Sequence, residues 1–206
     1  MDRKYQAIAI GASAGGLHAL SFLFEQLPAE YPIPVMVIQH RAKDQKELLE
    51  EVLQNKCTIT IKQADEKERI KRGIIYIAPP GYHLLVEQDL TFSLSADEYV
   101  IKSKPSIDVL FETAAEVFRE KLIGVILTGA NHDGALGMAT IKRYGGLTIA
   151  QRPDEAPYPQ MPQAAIDQGG VDHIWTLKEI REFLYQLFLL YRNEKDRKKS
   201  SDDSDH

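Results

Sequence analysis

The chain has 206 residues, 44% of them hydrophobic and 27% charged, with a formal net charge of -5 and a pI near 5.7. That size and balance suit one soluble globular domain whose core needs no disulfide or metal, and they argue against a disordered or membrane chain. The acidic balance also argues against a dedicated nucleic-acid binder, which would concentrate a basic excess on one face.

From the N-terminus, the apolar run that follows Asp2, Arg3 and Lys4 reaches Gly11 too soon for a signal peptide or a membrane span, so no membrane insertion is expected. Compact apolar runs predict strands over Tyr5 to Ile10, Pro34 to Gln39, Thr58 to Gln63, Gly73 to Ala78, Gly124 to Thr128 and Gly146 to Ala150. Helical spacing predicts helices over Leu17 to Leu27, Glu47 to Asn55, Ile107 to Lys121, Ala135 to Tyr144 and Leu177 to Tyr191. Pro105 and Ser106 supply the start of the third helix, and Gly145 with Gly146 the stop of the fourth. From Tyr82 to Leu94 the pattern alternates around Gln88 and Asp89, as an antiparallel hairpin does. Cys57 is the single cysteine, so no intrachain disulfide can form and a reducing, cytoplasmic compartment is expected. With no CxxC partner and a short strand beside it, Cys57 reads as a packing residue. The segment from Asn193 to His206 mixes charges and serine without large apolar residues and reads as a disordered tail, leaving one domain over residues 1–192.

Strands alternating with helices predict an α/β fold: a doubly wound, mainly parallel sheet with helices on both faces and an antiparallel hairpin excursion. In such a fold functional groups gather at the carboxyl ends of the strands. The first strand runs into Gly11-Ala12-Ser13-Ala14-Gly15 and then into an amphipathic helix, the strand-turn-helix setting of a GxSxG nucleophile elbow. Small neighbours allow the tight turn, and the helix N-terminus offers N–H groups to developing negative charge. Two other readings compete at this point: Ser13 as a plain helix N-cap, and the glycine-rich turn as a phosphate cradle. The cradle fits less well, because Ser13 stands where GxGxxG needs its middle glycine, and no Gly-Lys-Ser/Thr follows for a P-loop.

A serine hydroxyl needs a base. Of six histidines, His40 ends the strand before it and so shares the carboxyl edge with Ser13. His132 is the rival, but it adjoins Asp133, and neighbouring residues seldom contact each other while both face a nucleophile. His18, His83, His173 and His206 are placed less well. Asp133 follows the buried-looking run before Gly129 and emerges at another strand end, where it can either orient the imidazole or cap the next helix. Ser13 as nucleophile, His40 as base and Asp133 as orienting carboxylate form the favoured set. No HExxH or Cys/His cluster suggests a metal, and no cofactor is expected.

The ordered landmarks IGASAGG with Ser13, IQH with His40, GIIYIAPPGYH from Gly73, KPSIDVLFETAA from Lys104, GVILTGANHDGALGM from Gly124, TIAQ from Thr148 and MPQAAIDQGGV from Met161 carry a family resemblance. From about Ala7 to Leu187 the chain resembles the catalytic domain of the CheB-type chemotaxis-receptor methylesterases. The resemblance implies a serine hydrolase that removes methyl esters from glutamate side chains on receptor cytoplasmic helices, some members also deamidating glutamines. It implies the same triad, Ser13, His40 and Asp133, and an oxyanion contact from the backbone N–H at Ala130. The sequence departs from the usual pattern at Ala14, at Ala130, Asn131 and His132 in place of the usual LTGMGNDG residues, at Gln163 and at Lys104, the last two standing where arginine is typical. The family's receiver domain is not expected, because the landmarks begin almost at residue 5, so regulation would differ. The alternatives are a catalytically weak module that binds receptor or kinase helices, an esterase for another substrate, and a nucleotide-binding α/β protein.

Overall fold

A computed structural model describes residues 4–40, 49–97 and 103–202, with side chains as far as Glu194. The elements in order are β1 (Ala7–Ala12), α1 (Gly16–Phe24), β2 (Val35–Gln39), α2 (Leu49–Gln54), β3 (Thr60–Gln63), β4 (Ile74–Ile77), β5 (His83–Val86), β6 (Phe92–Ser95), α3 (Ile107–Phe118), β7 (Leu122–Ile126), α4 (Ala135–Arg143), β8 (Leu147–Gln151), α5 (Gln160–Asp167), β9 (His173–Trp175) and α6 (Leu177–Asp202). A single 3-10 turn, Arg119–Lys121, joins α3 to β7.

Seven strands pair in the order β3-β4-β2-β1-β7-β8-β9, all parallel, while β5 and β6 form a separate antiparallel pair. β1 shows why its sequence is apolar throughout. Ile8, Ile10 and Ala12 point into one core layer with Leu20, Leu23 and Phe24 of α1, Leu53 of α2 and Ile180 and Leu184 of α6. Ala7 and Ala9 point into the other, with Leu110 and Phe111 of α3, Met138 and Ile141 of α4, Met161 of α5 and Phe92 of the hairpin. A strand buried on both faces has no polar side to alternate with.

Chain order reverses at β1: the chain first builds β2, β4 and β3 on one side, and later β7, β8 and β9 on the other. Gly11 lies level with Ile38 of β2 and with Ile126 of β7. The residues leaving these three strands therefore emerge side by side at the switch point, where open α/β sheets hold their ligands.

The doubly wound architecture and the hairpin agree with the sequence reading. Two elements were not foreseen. β9 is three residues long, an edge strand with His173 and Ile174 exposed, too short for a periodic signal. α5 contains Pro162, which reads as a breaker but sits in the first turn, where the missing N–H would have had no helical partner. The beginning of the helix predicted from Glu47 lies outside the described residues. From Asn193 to Asp202, where composition predicts disorder, the backbone continues α6. Lys, Arg and Glu are good helix formers, and extending an existing helix requires no new nucleus.

Candidate active site

Ser13 leaves β1 on a turn pinned from several directions. Its N–H donates to the Thr128 carbonyl at 3.0 Å, and its own carbonyl accepts from Gly16 N at 2.9 Å and from the Gln39 side-chain amide at 2.8 Å. Gln39 also donates to the His40 carbonyl at 2.9 Å, so one buried side chain ties the two loops together. Thr128 adds a second tie, its hydroxyl donating to the Ala14 carbonyl at 3.0 Å and accepting from Tyr158 N at 3.0 Å. The helix N-cap is Gly15, at φ 78°, and it makes no side-chain cap bond. The plain capping role for Ser13 is therefore absent: its half-buried hydroxyl makes no hydrogen bond among the described residues. Gly129 packs flat against this turn. A Cβ there would stand 2.9 Å from Ser13 Cβ and 2.6 Å from Met161 Sδ, so only glycine fits.

His40 leaves β2 with its N–H bonded to the Ala12 carbonyl at 3.0 Å, which holds it beside the serine turn. Its Nε2 meets Asp133 Oδ2 at 2.8 Å, with only 12% and 3% of the two side chains exposed. The carboxylate is also held by the start of α3: Oδ2 accepts from Ile107 N at 2.8 Å, and Oδ1 accepts from Asp108 N and from the Ser106 hydroxyl, each at 3.0 Å. Ser106 is itself the N-cap of α3. A helix N-terminus offers unpaired N–H groups and a positive dipole end, which suit an anionic side chain. Burial would raise the Asp133 pKa, but the His40 hydrogen bond and the Ile107 and Asp108 N–H groups outweigh it and hold it below the ordinary aspartate value. An ionised Asp133 can only accept, so His40 carries its proton on Nε2 and donates it to Oδ2. Nδ1 is then the nitrogen with the lone pair. It faces the Asn131 amide, Nδ2 to Nδ1, at 3.1 Å.

Asp108 lies one helical step behind. Its Oδ1 accepts from Gly137 N of α4 at 2.7 Å. Burial pushes its pKa up to about 7, the Gly137 N–H pulling against that and the charge of Asp133 adding to it. His83 is fully buried, its Nδ1 accepting from Ser106 N at 3.2 Å, and burial lowers its pKa.

Of the sequence-predicted set, the structure joins His40 to Asp133 and brings the Ser13 turn alongside, but it makes no hydroxyl–imidazole bond between Ser13 and His40. Ala130 is exposed, and its N–H, like that of half-buried Ala14, has no partner among the described residues. His132 and His18 are exposed, and neither bonds to the buried carboxylate of Asp133. Cys57 is buried and its pKa is raised by that burial, which suits packing rather than thiolate chemistry. Gln163 is exposed and bonded to Asp167 at 2.7 Å along its own helix. Among the described residues no cluster of three or more His, Cys, Asp or Glu is placed to hold a metal, and no helix is long and apolar enough to cross a membrane. Sequence reasoning assigned no role to Gln39, Thr128, Asp108 or Asn131, and read Ser106 only as the start of the third helix, not as a partner of Asp133. The one signal available was adjacency: Gln39 precedes His40, Thr128 ends the predicted strand from Gly124, two residues beyond β7, and Ser106 and Asp108 flank the first residue of α3.

Comparison with known proteins bears on what this arrangement is. The model of the CheB methylesterase family matches residues 8–184. A Leptospira interrogans protein named "Putative protein-glutamate methylesterase/protein-glutamine glutaminase" is 49% identical over 184 residues, covering 89% of this chain and 95% of that protein. An Archaeoglobus fulgidus protein named "Protein-glutamate methylesterase/protein-glutamine glutaminase" is 37% identical over 93% of this chain, but the match spans only 56% of that longer protein. The crystal structure of the Thermotoga maritima CheB methylesterase catalytic domain superposes with a TM-score of 0.84 at 32% identity, covering 89% of this chain and 99% of that one. Matched by the family model over most of its length and by relatives well above the level at which homology is secure, the chain belongs to the CheB methylesterase family.

Proposed function

We propose that this protein is a protein-glutamate methylesterase, in which Ser13 is the nucleophile, His40 the general base and Asp133 the residue that orients and balances the imidazole. The observation that carries the reading is the 2.8 Å bond between His40 Nε2 and Asp133 Oδ2, which leaves Nδ1 as the one nitrogen able to accept a proton at the edge where Ser13 stands. Ser13 Oγ attacks the ester carbonyl carbon as its proton passes to His40 Nδ1. The N–H groups of Ala14 and Ala130 face the oxyanion, each such donor being worth about 3 kcal/mol in the transition state. The tetrahedral intermediate collapses, Nδ1 returns the proton to the departing methoxide, and methanol leaves. Water then attacks the acyl-enzyme by the same proton route, releasing the glutamate carboxylate and regenerating Ser13. Replacing methoxide by ammonia as the leaving group turns the same steps into glutamine deamidation, the second activity in the relatives' names.

The proposed substrate is the methylated cytoplasmic helix of a chemotaxis receptor, which would place the activity in the cytoplasm. The exposed side chains Leu17 at the start of α1, Leu136 at the start of α4, and Tyr158 beside Thr128 support this. They form an apolar rim at the same sheet edge, of the kind that seats one face of an amphipathic helix.

The test has two arms. A fluorophosphonate probe should label the wild-type protein and leave Ser13→Ala unlabelled; equal labelling of both overturns the nucleophile assignment. Methylated receptor should release methanol; turnover of simple esters without release from receptor overturns the substrate.

A further inference from the structure

Asn131 occupies the position through which the proposed proton transfer has to pass. The orientation of its amide is fixed by chemistry: the Asp133 backbone N–H can only donate, and it meets Asn131 Oδ1 at 3.1 Å. The other end, Nδ2, is therefore the group 3.1 Å from His40 Nδ1. An amide NH2 can only donate, so it is compatible with a lone pair on Nδ1 and incompatible with an N–H there. Nε2 is already committed to Asp133, so no second imidazole nitrogen is available. The Ser13 hydroxyl makes no hydrogen bond among the described residues, as expected if another donor holds its acceptor. Rotating the amide end for end would oppose NH2 to the Asp133 N–H, so Asn131 cannot accommodate a protonated Nδ1 without leaving.

We propose that Asn131 is a latch on the general base: in the resting enzyme its amide holds the Nδ1 lone pair of His40, and it must be displaced before Ser13 can be activated. The inference rests on the reading of Ser13 and His40 as nucleophile and base. Asn131 is partly exposed and flanked by exposed Ala130 and His132, so an incoming substrate can reach it. A protein substrate brings carbonyl oxygens that can accept the Nδ2 donor and draw it off the imidazole; a small ester brings almost none. Asn131 thus acts as a positioning residue that favours an ester embedded in a polypeptide over a free one.

Two substitutions separate the latch from a purely structural role. Asn131→Ala removes the donor and the loop contact together. Asn131→Asp keeps an oxygen for the Asp133 N–H but turns the other end into an acceptor that draws a proton onto Nδ1. A small fluorophosphonate does little to draw the amide off, so its reaction waits on spontaneous opening of the latch; the rate of Ser13 modification should rise roughly fivefold in Asn131→Ala, as expected for releasing one hydrogen bond, and should fall below wild type in Asn131→Asp. A residue that only braces the loop gives the opposite order, with Asn131→Asp near wild type and Asn131→Ala impaired, and that order overturns the latch. If thermal melting shows that Asn131→Ala is unfolded, the aspartate variant still decides, since wild-type labelling there is incompatible with the latch. Failure of the wild type itself to be labelled at Ser13 overturns the underlying catalytic reading instead.

Discussion

Asp133 shows how much chemistry a single residue can concentrate. Its two oxygens accept from Ser106 Oγ, Ile107 N, Asp108 N and His40 Nε2, which uses every acceptor site a carboxylate has. Asn is the same size, but its NH2 would have to oppose one of these donors. If it faces His40, the imidazole must turn its lone pair toward it and carry its proton on Nδ1, the wrong nitrogen for taking one from Ser13. If it faces α3, it opposes N–H groups at the helix start. Asp133→Asn is therefore expected to lower kcat by roughly 10³ to 10⁴ and to lower Tm as well. A variant with near-wild-type methanol release in steady-state assays would count against the orienting role. At this scale the sequence showed Ser13, His40 and Asp133 because each closes an apolar run or opens a glycine-rich turn. It did not show Asn131, whose partner His40 is 91 residues away, or Ser106, 27 residues from Asp133, because a hydrogen bond between distant positions leaves no local pattern.

At the scale of the element, the start of α3 is built around two buried carboxyls of opposite tendency. Asp133 is held below its ordinary value, so its stabilising contribution is present above the usual aspartate range and is lost as pH falls through its depressed folded value. Asp108 is raised by burial from 3.8 to about 7, so the folded state binds its proton over a range where the unfolded chain has released it. The contribution of Asp108 to stability therefore falls as pH rises from about 4 to about 7, and levels off above. The full shift is worth on the order of a few kcal/mol. Asp108→Asn keeps an oxygen for Gly137 N and removes the titration. It should be more stable than wild type near pH 8 and should flatten the decline in Tm between pH 5 and pH 8; an unchanged slope would mean that Asp108 ionises normally. The helix itself was legible, from Ser106 as cap and the spacing of Val109, Leu110 and Ala114. The pairing of its N-terminus with Asp133 was not, because a cap's free N–H groups say that an acceptor is wanted without saying which.

Across the whole molecule, the site rests on the most thoroughly enclosed part of the sheet. β1 is buried at every residue and paired on both sides, whereas β9 is a three-residue edge strand with two exposed positions and β5–β6 stands apart from the main sheet. Native-state hydrogen exchange should therefore find the amides of Ile8 to Gly11 and of Ile123 to Ile126 protected to the level of global unfolding, with β9 and the hairpin opening in smaller, easier units. Equal protection throughout would show that the edges unfold only with the core. The sequence alone determined the α/β class, the serine turn and the strand ends that carry Ser13, His40 and Asp133, because strand periodicity and turn chemistry are properties of neighbouring residues. Only the tertiary structure decided that β2, β1 and β7 lie side by side, that His40 turns Nε2 to Asp133 and Nδ1 to Asn131, and that the start of α3 cradles the carboxylate. Those choices depend on how strands order in a sheet and on which donors packing brings within 3 Å, and both are settled between residues far apart in the chain.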